Sequence, residues 1–283
     1  MSRRGGVAAR EAERPGGIPA APEPLPVEVV DAHCHLDIMG SATDEAVAAA
    51  VAAAQAVGVR RVVTIGVDVA TSQWSADVAA VHPDVYAGVA IHPNEAFLST
   101  DEALAEIARL AGLPDVRAVG ETGLDYYRET ASPEQQQHSF RRHIAIAKES
   151  GKALVIHDRD AHADVLRILR EEGAPDRTVF HCYSGDADMA RVCADAGYYL
   201  SFAGNMTFRN AQNLRDAIAV APLDLLLVET DAPFLTPAPH RGAPNAPYLI
   251  PVTVRAMAEV AGVELERMCT ALAANSERVF GTW

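Results

Sequence analysis

Along most of this chain, short apolar runs alternate with longer stretches that have the spacing and end signals of helices, and several runs stop at a histidine or a carboxylate. The first is Val29-Val30, which leads into Asp31-Ala32-His33-Cys34-His35. Arg60 to Val67 reads as a second, buried strand, Val85 to Ile91 as a third ending at His92, and Val116 to Gly120 as a fourth ending at Glu121. Ala153 to Ile156 ends at His157 and Thr178 to Phe180 at His181; Tyr198 to Phe202 follows, and Leu225 to Val228 ends at Glu229-Thr230-Asp231. Helices are predicted over residues 44–57, 71–81, 101–111, 133–150, 161–172, 187–196 and 210–220, with two or three more closing the chain. Their ends are well punctuated. Ser132 stands at an N-cap with Pro133 at the first helical position and Gln135 completing a capping box, and Gly151 follows the last turn.

Eight strand-plus-helix units in about 255 residues are the count and length of a TIM (β/α)8 barrel, an α/β fold with parallel strands. A doubly wound open sheet is the alternative, but no Gly-x-Gly-x-x-Gly follows the first strand to mark a nucleotide crevice. Residues 1–26, rich in Gly, Ala, Pro, Arg and Glu, are expected to be a disordered tail, because they offer too little apolar surface to offset the entropy of ordering. The barrel is then expected over 27–283. Charges where an apolar segment should follow Arg3-Arg4 argue against a twin-arginine export signal, and the absence of 18 consecutive apolar residues argues against a membrane span.

Charge narrows the partners. Lys and Arg number 24 against 38 Asp and Glu, a net charge of -14, so broad grip on duplex nucleic acid through phosphate contacts is not expected. The four cysteines include no Cys-x-x-Cys pair and are too few for a disulfide framework, which points to a reducing, cytoplasmic setting.

The chemistry lies in where the polar residues fall. In a barrel all strand C-termini meet at one face, where active sites lie. Five of the ten histidines (His33, His35, His92, His157, His181) sit at such ends, together with Glu121 and Asp231. His33 and His35, two apart on a strand, share a face. One catalytic zinc needs three protein ligands, whereas this many donors suffices for two divalent ions sharing a carboxylate, which predicts hydrolysis. Histidine-rich ligation suits zinc or manganese. Cys34 and Cys182, each beside one of these histidines, are expected on the opposite face, packed under helices; His138, His143 and His162 are expected to be solvated on their helices.

The runs Asp31-Ala32-His33-Cys34-His35-Leu36-Asp37, Gly120-Glu121-Thr122-Gly123-Leu124-Asp125-Tyr126-Tyr127, His157-Asp158-Arg159-Asp160-Ala161, His181-Cys182-Tyr183-Ser184-Gly185 and Glu229-Thr230-Asp231-Ala232-Pro233-Phe234-Leu235 strongly resemble the TatD family of metal-dependent deoxyribonucleases, in order and over about residues 27–281. The resemblance implies an amidohydrolase-type barrel, a pair of divalent ions, often magnesium, and hydrolysis of DNA phosphodiesters, commonly as a 3′-5′ exonuclease; the net charge of -14 and a pocket at the barrel mouth add the expectation of single-stranded ends. It makes His33 and His35 ligands of one ion, Glu121 the bridge, and His157 and His181 ligands of the second. Asp231 completes the first site and accepts a proton from the attacking water. It places His92 toward the substrate phosphate, while Arg159 is open to two readings, a phosphate contact or a structural salt bridge. Tyr126 and Tyr127 are equally open, as a stacking surface at the mouth or as core. One departure stands out: Arg241-Gly242-Ala243-Pro244-Asn245-Ala246-Pro247 carries Ala246 where the family usually has an acid. Other outcomes to be weighed are a hydrolase of small amides, lactones or phosphate monoesters on the same scaffold, and a silent partner protein that has kept the barrel.

Overall fold

The computed structural model describes residues 17–39, 42–128 and 130–282. Eight parallel strands lie in chain order, β1 (Val29–Cys34), β2 (Val59–Ile65), β3 (Val85–Val89), β4 (Val116–Asp125), β5 (Ala153–Arg159), β6 (Thr178–Phe180), β7 (Tyr199–Phe202) and β8 (Leu226–Val228). The helices between them are α1 (Asp44–Gln55), α2 (Val69–Val81), α3 (Asp101–Ala111), α4 (Pro133–Ser150), α5 (His162–Glu172), α6 (Ala187–Asp195) and α7 (Gln212–Val220), with α8 (Ile250–Ala261) and α9 (Leu265–Phe280) closing the chain. This is the (β/α)8 barrel that the periodicity predicts. The capping box at Ser132 forms as read, Gly151 adopts a left-handed conformation at φ 63°, and α2 has a second capping box between Asp68 and Thr71.

Alternation along the strands separates two cores. Val30, Ala32, Val63, Ile65, Ala118, Val155, Val179 and Leu227 fill the barrel, where Val279 and Phe280 of α9 join them. The intervening residues pack outward under the helices. The barrel closes between its first and last strands at the C-terminal end: Asp231 N–H donates to the His33 carbonyl at 2.9 Å and His35 N–H to the Ala232 carbonyl at 2.8 Å. Asp31 reinforces the seam, its buried carboxylate accepting from Thr230 N at 2.9 Å and from the Thr230 hydroxyl at 2.5 Å. Burial, the largest influence, pushes the Asp31 pKa up to about 7 against the opposing pull of these bonds.

Two irregularities aim the functional side chains inward. Asp31 pairs with Val62 and Cys34 with Thr64, so three residues of β1 span two of β2; likewise Val119 pairs with Leu154 and Thr122 with Ile156. Each extra residue is a bulge that shifts the alternation. Ala32 and His33 can therefore both face the interior, as can Glu121 despite the outward Val119. The β4 strand also continues beyond its predicted end at Gly120, and β5 beyond Ile156. Apolar patterning stops there because the inward positions have become the polar lining of the mouth, while the ladder persists to Asp125 and Arg159.

Two expectations change. His143 is fully buried in α4, where Nδ1–H donates to the Ser139 carbonyl at 2.7 Å and Nε2 accepts from Ile91 N–H at 3.0 Å. It is a core polar group that holds the backbone beside His92. Of the expected tail, residues 1–16 lie outside the described residues, whereas the following stretch runs against the barrel. Leu25 is buried, its N–H bonds the Val57 carbonyl, Tyr248 donates to the Pro19 carbonyl and Arg255 to those of Glu23 and Pro24.

Burial lowers the His143 pKa to about 4, so between about pH 6.5 and 4 the unfolded chain binds a proton that the folded chain refuses. This contribution is fully present above about pH 6.5 and declines as pH falls toward 4, by at most about 3 kcal/mol. His143→Gln should lower stability near neutral pH yet flatten its fall toward about pH 5, measured as urea midpoints at both pH values. An unchanged pH slope would show that other groups carry it. A second prediction concerns Gly123, at φ 134°, where a Cβ would lie 2.1 Å from the His157 carbonyl oxygen. Gly123→Ala should cost on the order of 3 kcal/mol through backbone strain. A wild-type melting temperature would contradict this approach of β4 to β5.

Candidate metal centre

The inward rows of six strand ends deliver one cluster. His33 and His35 come from the end of β1, His92 follows β3, Glu121 lies on β4, His157 on β5, His181 follows β6 and Asp231 follows β8. All seven are brought together. Arg159, on the same inward row of β5 as His157, is not hydrogen-bonded to the cluster; its guanidinium lies over the Tyr127 ring, 3.9 Å from the centroid. Tyr127 is an exposed mouth residue at 63% accessibility, whereas Tyr126 is partly buried and bonds Asp164 through its hydroxyl at 2.8 Å.

The two oxygens of Glu121 face different groups. Oε2 lies 3.7 Å from His33 Nε2 and 3.8 Å from His35 Nε2. Asp231 Oδ1 approaches the same nitrogens at 3.8 and 3.5 Å, and the nitrogens are 3.3 Å apart. Oε1 instead faces His157 Nδ1 at 2.7 Å, His181 Nε2 at 3.1 Å and His92 Nε2 at 3.2 Å. The first set has the dimensions of a coordination shell, since ligands about 2.0–2.2 Å from an ion in tetrahedral array stand about 3.3–3.6 Å apart. His33, His35 and Glu121 form one group that could hold a metal, and His92, Glu121 and His157 another.

The partner of each second ring nitrogen fixes what the first can do. His35 Nδ1 is 3.0 Å from the Ile65 carbonyl, which only accepts, so Nδ1 carries the proton and Nε2 presents a lone pair to the cluster; His181 Nδ1 likewise donates to Glu229 Oε1 at 3.0 Å, while its Nε2 faces a second carboxylate oxygen, Glu121 Oε1. His92 is the reverse. Its Nδ1 accepts from Asn94 N–H at 3.0 Å, so in the neutral ring Nε2 carries the proton and is a donor rather than a ligand. His157 meets carboxylates on both sides, Glu121 at Nδ1 and Asp125 Oδ2 at Nε2, 3.2 Å away.

The electrostatics follow the same division. Burial opposes ionisation of Glu121, but the His92 and His181 rings and hydrogen bonds from His157 and His181 outweigh it and hold its pKa well below the usual range. Burial first, then repulsion from His181, lowers the His33 pKa to about 3. His181 also resists charge through burial, yet Glu229 and Glu121 together raise its pKa.

Three participants were not singled out from the sequence. Glu229 accepts from His181, from Cys182 N–H at 2.7 Å and from the Ser201 hydroxyl at 2.5 Å; Asp125 orients His157; Asp31 secures the β8 exit. Glu229 and Asp31 each lie two residues from a candidate ligand, and this spacing on an inward-facing strand end was the available signal. Cys34 is buried against Val47, Val62 and Val78, as expected of an outward position. Cys182 differs: the strand has ended, φ is 42°, and the partly buried residue turns its thiol to Asn205 Nδ2 at 3.8 Å. His138 is exposed, and His162 is half-buried, its Nδ1 2.7 Å from Asp158 Oδ2. At the departure from the family pattern, Asn245 holds the loop by donating to the Thr230 carbonyl at 2.9 Å and the Phe234 carbonyl at 2.5 Å, bonds that do not involve the Ala246 side chain. All four cysteines are free thiols, and no described helix is long and apolar enough to cross a membrane.

Comparison with known proteins agrees with this geometry. An uncharacterised metal-dependent hydrolase of Mycobacterium tuberculosis is 47% identical over 258 residues, covering 89% of this chain and 98% of its own. One from Escherichia coli is 39% identical over 254 residues, covering 89% and 95%. The crystal structure of a TatD homologue from Escherichia coli superposes with a TM-score of 0.85 at 26% identity, covering 90% of this chain and 98% of that one. A TatD family hydrolase of Entamoeba histolytica, 17% identical, shares the fold with a TM-score of 0.80 over 91% of this chain and all of its own. Residues 30–281 match the family described as TatD related DNase, and the chain belongs to that family of metal-dependent hydrolases.

Proposed function

We propose that this protein hydrolyses DNA phosphodiester bonds, acting from the 3′ ends of single strands, with two divalent ions held on either side of Glu121. The observation that carries the two-ion reading is the division of Glu121, Oε2 toward His33, His35 and Asp231 and Oε1 toward His157 and His181. The donor set fits such ions: imidazole nitrogens converge with carboxylate oxygens inside a buried cleft, an arrangement that is costly without positive charge between them. His33, His35, Glu121 and Asp231 would hold one ion and Glu121, His157 and His181 the other. Bound ions would lower the pKa of water and offset the charge developing on a phosphodiester.

The remaining steps belong to the chain. Asp231 is the most open of the cluster carboxylates, with 16% of its side chain accessible, and is placed to accept a proton from an incoming water and pass it outward. His92 donates Nε2–H toward a phosphate oxygen, the role its tautomer permits. Glu229 and Asp125 hold His181 and His157 in the tautomers that ligation requires. A site of loops at a barrel mouth, on a chain of net charge -14, suits a single strand end better than a duplex. A reducing, cytoplasmic setting is part of this reading.

The substrate is tested by turnover of a 3′-labelled oligonucleotide beside a panel of small esters, amides and phosphate monoesters. Hydrolysis of a panel member with the oligonucleotide untouched would transfer the site to a small-molecule hydrolase. Elemental analysis of protein saturated with zinc or manganese should give two ions per chain, falling to one or none in Glu121→Gln. One ion per chain in the unaltered protein would refute the bridged pair. Asp231→Asn should lower turnover by at least about 10²–10⁴-fold, with a much smaller loss of DNA affinity. Wild-type turnover in this variant would remove Asp231 from proton transfer.

A further inference from the structure

The mouth of the barrel carries the same construction twice. Tyr127 and Arg128 follow β4, and Arg159 at the end of β5 places its guanidinium 3.9 Å from the Tyr127 ring centroid. Phe208 and Arg209 follow β7, and Arg241 from the loop after β8 places its guanidinium 4.0 Å from the Phe208 centroid. Each is an aromatic–arginine dipeptide with a second arginine stacked on the ring from a neighbouring loop. Both stand on βα loops, on the face where the metal centre opens.

Their charge is uncommitted. Among the described residues, none of Arg128, Arg159, Arg209 and Arg241 pairs with a carboxylate, whereas Arg109, Arg141, Arg142, Arg167 and Arg191, all on helices, each do. In a chain with an excess of acids, four guanidiniums at the mouth are left with donors available to an anionic ligand.

The supports are firm. Asp125 Oδ1 accepts from the N–H groups of both Tyr127 and Arg128, at 3.0 and 2.9 Å, while Oδ2 faces His157. On the other side Arg215 donates to the carbonyls of Met206 and Phe208, at 3.0 and 2.7 Å, and Thr207 accepts from Ala238 N–H at 2.8 Å. Gly204 abuts Leu235 and Pro237 so closely that a Cβ would meet the Leu235 carbonyl at 2.3 Å. Each ring is thus fixed by hydrogen bonds to its backbone rather than carried on a loose loop.

We infer that these pairs are two nucleotide-binding platforms flanking the metal centre, on which a single DNA strand is seated by stacking of bases on Tyr127 and Phe208 and by phosphate contacts to the four arginines. An aromatic ring can stack any base, and a guanidinium edge donates to phosphate oxygens, so the platforms would favour single strands without reading sequence. The inference rests on the proposed DNA substrate and supplies the binding surface that the net charge otherwise withholds.

Binding and cleavage are measured separately. Anisotropy of a short fluorescent deoxyoligonucleotide with the full-length, chelator-treated protein reads the platforms without turnover. Arg159→Ala, Arg241→Ala, Tyr127→Leu and Phe208→Leu should each weaken binding by about fivefold or more, and the two arginine changes should make the salt dependence shallower. Arg142→Ala, an equal change of charge on α4, should leave binding unaltered. Equal binding by all four mouth variants and the wild type, losses matched by Arg142→Ala, or no binding by the wild type would overturn the inference. Binding that depends on the platforms without cleavage by the metal-loaded wild type would instead overturn the nuclease reading and leave the platforms standing.

Discussion

The structure depends on how one buried carboxylate is accommodated. Glu121 is 4% exposed, a position where an isolated charge would be severely destabilising, and five histidine nitrogens crowd around it, two of which Asp231 also approaches. Positive charge must compensate it, from protonated imidazoles or from bound cations. The bulge in β4 creates the demand by turning Glu121 inward, and the bulge in β1 helps meet it by turning His33 inward beside His35. Regular ladders would have sent these side chains under the helices, into an apolar layer with nothing to pair with them. The departures from ideal pairing are therefore what make a catalytic centre compatible with a barrel.

Ring tautomers show how the same residue type divides into different tasks. His35 and His181 each donate an Nδ1–H hydrogen bond to an acceptor behind them, while His92 Nδ1 accepts one from a backbone amide. Distance alone would class all three with the ligands, because their Nε2 atoms all lie within 4 Å of Glu121. The direction of the hydrogen bond behind the ring separates them, and it favours the phosphate-facing role for His92 that the sequence resemblance implies.

Much of this is legible in the sequence, and the misses share a cause. Apolar runs ending in metal-type side chains reveal the strands, their parallel order and seven members of the cluster, because the barrel converts sequence position at a strand end into spatial convergence. The same apolar signal fails where a strand enters the polar mouth, so β4 and β5 read too short and Asp125 received no role. Supporting carboxylates are silent for a related reason: the value of Glu229 lies in facing His181 across 48 positions, which only the folded register reveals. His143 reads as solvated because a lone imidazole on a helix gives no sign that a backbone amide 52 residues away needs an acceptor. Residues after Gly16 read as tail because their attachment is made mainly by backbone carbonyls, which composition does not record.

Asp125 connects the two levels of the proposed site. Its Oδ2 fixes the His157 ring, and its Oδ1 fixes the backbone that carries Tyr127 and Arg128. A strand seated on the Tyr127 platform would then be registered against the His157 side of the metal centre through a single carboxylate, with few soft torsions between base and scissile phosphate. Such registration matters more than added affinity, since misplacement by about 1 Å can cost about 10²-fold in rate. On this reading Asp125 would lose its value if the platform loop were free to move, and the platform would lose its value if His157 were free to turn. That mutual dependence gives a physical reason for a buried carboxylate, rather than a neutral side chain, at the point where β4 ends.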